Sequence, residues 1–552
     1  MNAIDVPAVD DVPAGPAPHD VTDDRVAGIA VHLLRDAAAA AGGPVPQVHH
    51  GSTPARSPLP PGEAGRRPGE GAGYAARIPG TLTPTPLPEG EGLRTVAAHG
   101  DAGTVPADPA AVDVGAIRSF VARIRGLDHL QLPPVLSRPR AATPAATSPT
   151  GSFDVDAVRR DVPILAERVH GRPLAWLDNA ATTQKPQAVI DALAAFYAHD
   201  NSNINRGAHA LAARATDAYE RARRVVAEFL GASSPDDVVF VRGCTEGVNL
   251  VANVLAPGLA RGDEIVLPEL EHHANIVPWQ MVAERTGAVI RMAPIDDRGE
   301  VILEAYERLL GPRTRIVAMS HASNSLGTIL PVEIMTAMAK ARGARVLVDG
   351  AQSVSHFPVD VRRIGCDFYV FSGHKIFGPT GIGAVVMSPA IRDSLPPWQG
   401  GGNMIRDVTF ARTTYADPPA LFEAGTPNIA DAIGLGAALD YVTAIGRERI
   451  AAYEHGLLEH ATARLAAIPG LRLVGTAREK VGVLSFVIPG LDPLDIGRAL
   501  DREGIAVRAG HHCAQPSLRH FGLEATVRPS LAFYNTTAEI DRLADVVGRL
   551  AR

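Results

Sequence analysis

The sequence predicts an α/β fold with a mostly parallel central sheet, helices on both faces of that sheet and a smaller α+β C-terminal domain. Three observations support this prediction. From about residue 152, short apolar runs alternate with helical patterns. The runs are continuously apolar, which is typical of strands buried on both faces. Polar residues of catalytic type follow several runs, at the positions where parallel strands end.

Five apolar runs are predicted to be strands of the sheet. They are Val238–Val241, Ile265–Leu267, Arg315–Met319, Val346–Val348 and Phe368–Phe371. Residues 217–230 and 333–342 are among the helical patterns between them. Because ligands of such sheets bind beyond the carboxyl ends of the strands, the residues that follow the runs are expected to meet at one rim. These residues are Thr245, His272, Asn324, Asp349 and Lys375.

Length and composition limit the class of protein. A chain of 552 residues is too long for one ordinary domain, and its formal charge of -7 argues against a nucleic-acid partner. Its three cysteines are too few for a disulfide framework, which favours a reducing compartment. The acidic N-terminus does not resemble a secretory signal, and no uncharged apolar run reaches the roughly 18 residues of a membrane span. We therefore expect a cytoplasmic protein with no membrane partner.

Residues 1–150 differ in composition from the rest of the chain. They hold 22 of the 45 prolines, no lysine and only two aromatic residues, Tyr74 and Phe120. Such a segment cannot bury enough apolar surface to offset its ordering entropy, so it is predicted to be a disordered extension. Two stretches, residues 26–34 and 117–124, place apolar residues on one helical face. They are either docking helices for a partner or transient helices in a disordered tail.

Lys375 and Asp349 indicate the chemistry. Lys375 follows an apolar, aromatic-rich strand and precedes the glycine-rich run Gly378–Gly383, which makes a simple surface lysine a poor alternative. Asp349 ends a second apolar run, 26 residues before Lys375. This pair suits pyridoxal 5'-phosphate (PLP), because the lysine can bind the cofactor covalently and the aspartate can keep its pyridine nitrogen protonated.

Other residues near this pair are candidates for holding the cofactor. Ser372 and His374 flank the lysine and can donate to a phosphate group. Gln352 can donate to the phenolate oxygen, although Asp349–Gln352 alone is also a possible helix N-cap. Thr245 lies at the predicted start of a helix, where backbone N–H groups bind phosphate.

Histidine and cysteine residues carry the remaining signals. Adjacent His272 and His273 diverge and have no third ligand nearby, so no metal site is predicted and His272 is expected to stack on the cofactor ring.

Cys513 follows a glycine and two histidines, and nearby positive charge would favour its thiolate nucleophile. Two further cysteines, Cys244 and Cys366, are interpreted as packing residues. Arg528, at the predicted start of a strand, suits a bidentate grip on a substrate carboxylate.

Together these runs resemble the class V, fold-type I PLP enzymes, and more narrowly the group II, SUF-type cysteine desulfurases. The resemblance covers about residues 152–552. The matching segments are residues 177–183, 203–209, 242–249, 271–279, 323–327, 349–352, 372–383, 425–428, 508–514 and 528–536. The Arg-Ala-Gly-His-His-Cys form of residues 508–513 is similar to group II rather than group I.

The resemblance implies a role for each matching position. Lys375, Cys513 and His272 form the catalytic set, with Cys513 accepting sulfur. The implied cofactor-binding residues are Lys375, Asp349, Gln352, His272, Thr245, Ser372, His374 and, from the other subunit of a homodimer, Thr426. The implied substrate-binding residues are Arg528, Asn324, Asn205 and Arg508. One departure is Cys244, where many relatives carry threonine or alanine, which weakens the side-chain part of the phosphate site.

Composition and pattern, together with the resemblance, predict an organisation of the chain. Its predicted parts are a disordered extension (1–150), an arm that packs with the small domain (151–175), a large PLP-binding domain (176–410) and a small domain carrying Cys513 (411–552). The extension resembles cargo-loading segments that direct desulfurases into encapsulin shells. Such an enzyme would reside in the cytoplasm or inside an encapsulin nanocompartment.

The implied activity converts L-cysteine to L-alanine and leaves a persulfide on Cys513. A SufE- or SufU-type acceptor would then take the sulfur, for iron–sulfur cluster assembly or sulfur storage. A selenocysteine lyase would share every site residue, and turnover of selenocysteine against cysteine separates the two. Another class V reaction, such as that of kynureninase, would not use Cys513. A catalytically degenerate, shell-bound scaffold protein is a third alternative, against which the intact lysine, aspartate and arginine set argues.

Overall fold

The computed structural model describes residues 153–205 and 207–552. The predicted extension and its two helical stretches therefore lie outside the described residues. The central sheet has seven strands. In chain order they are β1 (Val238–Val241), β2 (Glu264–Pro268), β3 (Val289–Ala293), β4 (Thr314–Ser320), β5 (Arg345–Asp349), β6 (Phe368–Ser372) and β7 (Gly383–Met387).

The strand order is β1-β7-β6-β5-β4-β2-β3. Neighbours from β6 through β5, β4 and β2 to β3 are all parallel. Only β7 runs against both of its neighbours, β1 and β6. The prediction of a mostly parallel sheet is confirmed, and each of the five predicted strands is present. The sequence analysis missed β3 and β7.

Both faces of the sheet are covered, as the continuous apolar runs predict. Successive residues of one strand enter different cores: Val346 and Val348 belong to one hydrophobic cluster, and Leu347 belongs to another. This alternation follows from the two-residue repeat of a strand. Because both faces of the inner strands are covered, their polar side chains lie at the strand ends, where a site can form.

Helices cover the sheet and continue into the C-terminal part. The predicted helix over 217–230 begins earlier, at Ala210, and ends at Leu230 before Gly231, whose left-handed backbone (φ +68°) closes it. The helices are Val155–Arg160, Gln187–Ala195, Ala210–Leu230, Cys244–Leu255, Val277–Thr286, Leu303–Leu309, Val332–Lys340, Val361–Ile364, Pro389–Arg392, Ile429–Ile445, Arg447–Ala466, Pro493–Arg502, Gln515–His520 and Thr537–Leu550.

A second, four-stranded sheet lies in the C-terminal part. Its strands are β8 (Arg472–Val474), β9 (Ser485–Val487), β10 (Arg508–Gly510) and β11 (Thr526–Arg528), in the order β8-β9-β11-β10. Arg528 ends β11, so the expectation that it begins a strand is wrong. Short paired strands complete the structure: Arg168–Val169 with Arg172–Pro173, Ala175–Trp176 with Ile505–Ala506, and Ile405–Val408 with Thr413–Tyr415.

The first described residues pack on this C-terminal part. Arg159 donates to the backbone oxygen of Tyr534 at 2.7 Å, and the ring of Phe153 stacks on Tyr453 with centroids 4.4 Å apart. The helix at the start of these residues, Val155–Arg160, is six residues long. The domain boundaries drawn from the sequence stay predictions.

No single helix within the described residues has both the length and the apolarity to cross a membrane. One pair of consecutive helices, Ile429–Ile445 and Arg447–Ala466, meets both requirements only when taken together, and it is bent by 76°.

Candidate active site

The carboxyl ends of the parallel strands open into a cavity of about 340 Å³. The structure brings eleven of the thirteen predicted site residues to its wall. They are Thr245, His272, Asn324, Asp349, Gln352, Ser372, His374, Lys375, Arg508, Cys513 and Arg528. Thr245 to Lys375 meet because the strands before them end at one rim, and the C-terminal part brings Arg508, Cys513 and Arg528 to the same space.

Lys375 reaches the cavity from a short 3-10 turn, Gly373–Lys375, that directly follows β6. Burial lowers its pKa below the ordinary lysine value, while the neighbouring Asp349 carboxylate acts in the opposite direction. A lowered pKa increases the fraction of neutral amine, which is the form that can attack a carbonyl carbon.

Asp349 is the last residue of β5 and is 5% exposed. Its Oδ1 accepts a hydrogen bond from the backbone N–H of Ala351 at 2.9 Å and another from Cys244 Sγ at 3.1 Å. The second contact was not expected, since Cys244 was interpreted as a packing residue. Its side chain lies beside a carboxylate and also lines the cavity.

The start of the helix Cys244–Leu255 forms one wall of the cavity. The backbone N–H of Cys244 donates to Ser372 Oγ at 2.8 Å, and Thr245 follows at the second helical position. Backbone N–H groups at a helix start carry partial positive charge and favour an anion such as phosphate.

His374 holds the chain around Lys375 in place. Its backbone oxygen accepts from the backbone N–H and the hydroxyl of Thr183 and from the hydroxyl of Thr182, at 3.0 to 3.1 Å. Burial lowers the pKa of its imidazole to about 4, with a smaller contribution from Lys375. The ring is therefore neutral at physiological pH and can donate one hydrogen bond.

His272 caps the turn after β2. Its Nδ1 accepts from the backbone N–H of Ala274 at 3.0 Å, which places the ring hydrogen on Nε2. Burial lowers the pKa of His272 to about 3, and Lys375 adds to the effect. A neutral, half-buried imidazole of this kind suits stacking on a flat ring.

A buried carboxyl group next to His272 was missed in the sequence analysis. Glu271 accepts from the backbone N–H and the hydroxyl of Ser320, at 2.8 and 2.7 Å, and from Asn275 Nδ2 at 2.6 Å. Burial raises its pKa to about 8. These bonds tie the His272 turn to the end of β4, so Glu271 orients the turn from behind.

Two arginines share one carboxylate. Arg508 donates to Asp178 Oδ2 at 2.7 Å, and Arg528 donates to Asp178 Oδ1 at 3.2 Å. Arg528 is 2% exposed and also donates to the backbone oxygen of Asn324 at 2.9 Å. Burial lowers the pKa of Arg528 to about 10, and it remains a cation at neutral pH. One aspartate against two arginines leaves net positive charge, which suits a carboxylate ligand.

Asp178 was absent from the predicted site residues. It lies within the matching segment 177–183, but its acidic side chain gives no sign in the sequence that it pairs with arginines 330 and 350 residues away. Only the folded chain brings the three groups together.

Cys513 is the exposed one among three free cysteines of the described residues. Its backbone and that of His512 adopt left-handed conformations, with φ of +53° and +55°, which cost about 1–3 kcal/mol each in non-glycine residues. Hydrogen bonds hold both carbonyls: Asn324 Nδ2 donates to His512 O at 2.6 Å, and the His273 N–H donates to Cys513 O at 2.8 Å.

The positive charge near Cys513 comes from an arginine. Burial lowers the pKa of His512 to about 3, so this imidazole is neutral at physiological pH. Arg508 interacts electrostatically with Cys513 and supplies a permanent cation instead. His512 contributes to the loop geometry instead, through its left-handed backbone and its carbonyl contact with Asn324.

Two predicted residues lie outside the cavity of this single chain. Asn205 donates to Asn403 Oδ1 at 3.0 Å, and Thr426 accepts from Asn203 at 3.3 Å beside a separate cavity. The two segments contact each other rather than Lys375. The role of Thr426 across a subunit interface, and that of Asn205 at the site, stay predictions.

The donor set fits PLP. A buried carboxylate, a lysine of lowered pKa, a neutral histidine and a helix start with a nearby serine hydroxyl surround one cavity. Gln352, which donates to the backbone oxygen of Ala180 at 2.7 Å, keeps a second N–H for the cofactor. Within residues 153–205 and 207–552, no group of three or more His, Cys, Asp or Glu side chains is arranged to hold a metal ion.

Comparison with known proteins agrees with this geometry. A probable cysteine desulfurase of Mycolicibacterium paratuberculosis is 64% identical over 400 residues, which are 72% of this chain and 58% of that relative. The chain thus spans less than two thirds of that relative's length. A cysteine desulfurase of Salmonella gallinarum is 49% identical over 403 residues, 73% of this chain and 99% of the relative.

Solved structures show the same fold. The apo structure of a cysteine desulfurase from Thermococcus onnurineus NA1 superposes with a TM-score of 0.69 at 38% identity, covering 72% of this chain and 98% of that one. The family model described as "Aminotransferase class-V" matches residues 175–543, more than half of the chain. The chain belongs to the class V aminotransferase family.

Proposed function

We propose that the protein is a PLP-dependent cysteine desulfurase of the group II, SUF type, which converts L-cysteine to L-alanine and collects the sulfur on Cys513. One observation carries the proposal: Lys375, Asp349, Arg528 and Cys513 line the same cavity. The lysine and the aspartate can bind the cofactor, the arginine can bind the substrate carboxylate, and the exposed thiol can accept a sulfur atom.

Each part of the cofactor has a residue to hold it. Lys375 would bind PLP covalently, Asp349 would meet the pyridine nitrogen, Gln352 the phenolate oxygen, and His272 the face of the ring. Thr245, Ser372 and His374 would hold the phosphate. When bound, PLP supplies an electron sink that stabilises negative charge at the substrate Cα.

The substrate is oriented by its carboxylate. Arg528 is buried and cationic, and its contacts with Asp178 and Asn324 hold the guanidinium in one place. Arg508 adds a second positive charge beside the first. A carboxylate bound there places the amino acid between Lys375 and Cys513, which line the same cavity.

Proton and sulfur transfer are then performed by the chain. Lys375, as a neutral amine, accepts the Cα proton of L-cysteine. The Cys513 thiolate attacks the substrate sulfur, an S–S bond forms, and the C–S bond breaks. The electron pair of that bond stays with the carbon skeleton, which takes up the proton held by Lys375 and the proton released by the substrate thiol and leaves as L-alanine. His272, a neutral imidazole, donates a hydrogen bond through Nε2–H that helps to orient the groups between which these protons move.

The partners complete the proposal. Sulfur leaves Cys513 for a thiol of a SufE- or SufU-type acceptor, for iron–sulfur cluster assembly or storage. The enzyme acts as a homodimer in which Thr426 reaches the phosphate of the other subunit. Residues 1–150 act as a cargo-loading segment for an encapsulin shell.

The experiment is a turnover measurement on the full-length protein. Reconstituted with PLP, the protein should be yellow, and its visible band should bleach on addition of L-cysteine. With dithiothreitol as sulfur acceptor, alanine and sulfide should appear in equal amounts. A protein that binds PLP but releases no alanine from L-cysteine contradicts the proposal.

A further inference from the structure

Cys244 contacts two parts of the proposed cofactor site through two different groups. Its backbone N–H donates to Ser372 Oγ at 2.8 Å, and its thiol donates to Asp349 Oδ1 at 3.1 Å. Both partners line the same cavity as Lys375, and so does Cys244 itself. One residue therefore joins the phosphate side of the site to the carboxylate side.

The direction of the thiol contact follows from its surroundings. Burial raises the pKa of Cys244 well above its ordinary value, and the Asp349 carboxylate raises it further. The group is thus a thiol at neutral pH, with a single hydrogen to donate. The carboxylate oxygen, 3.1 Å away, is the acceptor.

This contact restricts the orientation of Asp349. The Ala351 N–H and the Cys244 thiol both donate to the same oxygen, Oδ1. Two donors that converge on one oxygen fix the carboxylate plane, which a single donor would leave free to turn. The other oxygen, Oδ2, is then the one presented to a ring nitrogen.

We propose that Cys244 is a positioning residue for the cofactor, which acts by holding the Asp349 carboxylate in the orientation that meets the pyridine nitrogen. The inference rests on the proposed function and deepens it. It concerns the side chain alone, because alanine and serine at position 244 keep the backbone N–H that donates to Ser372.

Three variants of the full-length chain test it. Cys244→Ala removes the thiol, and Cys244→Ser restores a donor at nearly the same place. Cys366→Ala is the matched control, because Cys366 is also 6% exposed but does not line the cavity. The readouts are the dissociation constant for PLP, titrated into cofactor-free enzyme, and the position of the visible band of the bound cofactor.

The alanine variant should bind PLP roughly tenfold more weakly, as expected for the loss of a hydrogen bond to a charged group, and its visible band should shift. The serine variant should recover both properties, and Cys366→Ala should match the wild type in both. If the wild type binds PLP and the Cys244→Ala variant matches it in both readouts, the inference is overturned and the proposed function is not. The inference is also overturned if Cys244→Ser is as impaired as Cys244→Ala, or if Cys366→Ala loses the same amount of PLP affinity. A wild type that does not bind PLP overturns the proposed function as well.

Discussion

Arg528 Nη2 lies 3.2 Å from Asp178 Oδ1, and both side chains are buried. The same carboxylate accepts from Arg508, so it neutralises part of the charge of two cations and holds both in place. This ion pair links the first residues after Trp176 to the end of β11, across nearly the whole described chain.

The Asp178→Asn variant should bind L-cysteine more weakly. Loss of the charged hydrogen bond leaves the Arg528 guanidinium less well oriented toward the substrate carboxylate, so we expect KM to rise by roughly tenfold with kcat little changed. Steady-state kinetics measure KM and kcat separately. Asp541→Asn, which removes the charge of a half-exposed ion pair with Arg464, is the control and should leave KM unchanged. An Asp178→Asn variant with wild-type KM would contradict the role of Asp178.

Substitution of Lys375 and of Cys513 should separate cofactor binding from sulfur transfer. Cys513→Ala should keep the absorbance of the bound cofactor but lose cysteine-dependent sulfide release, because the nucleophile is gone while the cofactor contacts remain. Lys375→Ala should lose the band of the lysine-linked cofactor. Absorbance spectra and a sulfide assay record both results. Full activity of the first variant, or an unchanged band in the second, refutes the corresponding assignment.

Folding stability should fall in mild acid partly because of His512. Burial lowers the pKa of its imidazole from 6.5 to about 3. Between these values the unfolded chain binds a proton that the folded protein excludes, so stability is lost as pH falls through this window, by up to about 1.4 kcal/mol per pH unit.

The His512→Gln variant tests this linkage. Thr526 Oγ1 donates to Ser485 and therefore accepts from His512 Nε2 at 2.8 Å, a contact that the glutamine amide can replace. Glutamine does not titrate, so its unfolding free energy should depend less steeply on pH between 7 and 5 than that of the wild type. Chemical denaturation at several pH values measures both slopes, and equal slopes would exclude His512 as a source of the effect.

Breaking the buried pair between Arg223 and Glu423 should be costly. Glu423 accepts two hydrogen bonds from Arg223, at 2.7 and 3.0 Å, and one from the backbone of Phe240. Glu423→Gln leaves the buried guanidinium with the partly exposed Glu220, 3.0 Å away, as its remaining counter-charge, and we expect a loss of about 3 kcal/mol in the free energy of unfolding. Glu459→Gln, on an exposed helix surface, is the control. Equal denaturation midpoints would contradict this expectation.

Removal of residues 1–150 should separate catalysis from localisation. The cavity is built from residues after 177, so a chain that starts at residue 151 should keep the kcat of the full-length protein for L-cysteine. Co-expressed with an encapsulin shell protein, only the full-length chain should co-purify with the shell. Equal co-purification of both chains would rule out the extension as the loading segment.

Local sequence patterns were sufficient for much of the fold. Continuous apolar runs predicted β1, β2, β4, β5 and β6 because buried parallel strands need apolar residues on both faces. The edge strand β3 was missed because four of its five residues are wholly or partly exposed. The polar Arg291 interrupts what would otherwise be an apolar run. The antiparallel strand β7 was missed because its glycine-rich start was interpreted as the loop after Lys375.

By itself, the sequence determined five strands of the central sheet, the rim at which they end and the chemical types of the residues placed there, since each of these follows from composition and short spacing. Tertiary structure alone decided which side chains pair. Asp178 meets Arg528 across 350 residues, and Cys244 meets Asp349 across 105. Contacts of this range depend on how strands and loops pack in space, and nothing in local periodicity encodes them.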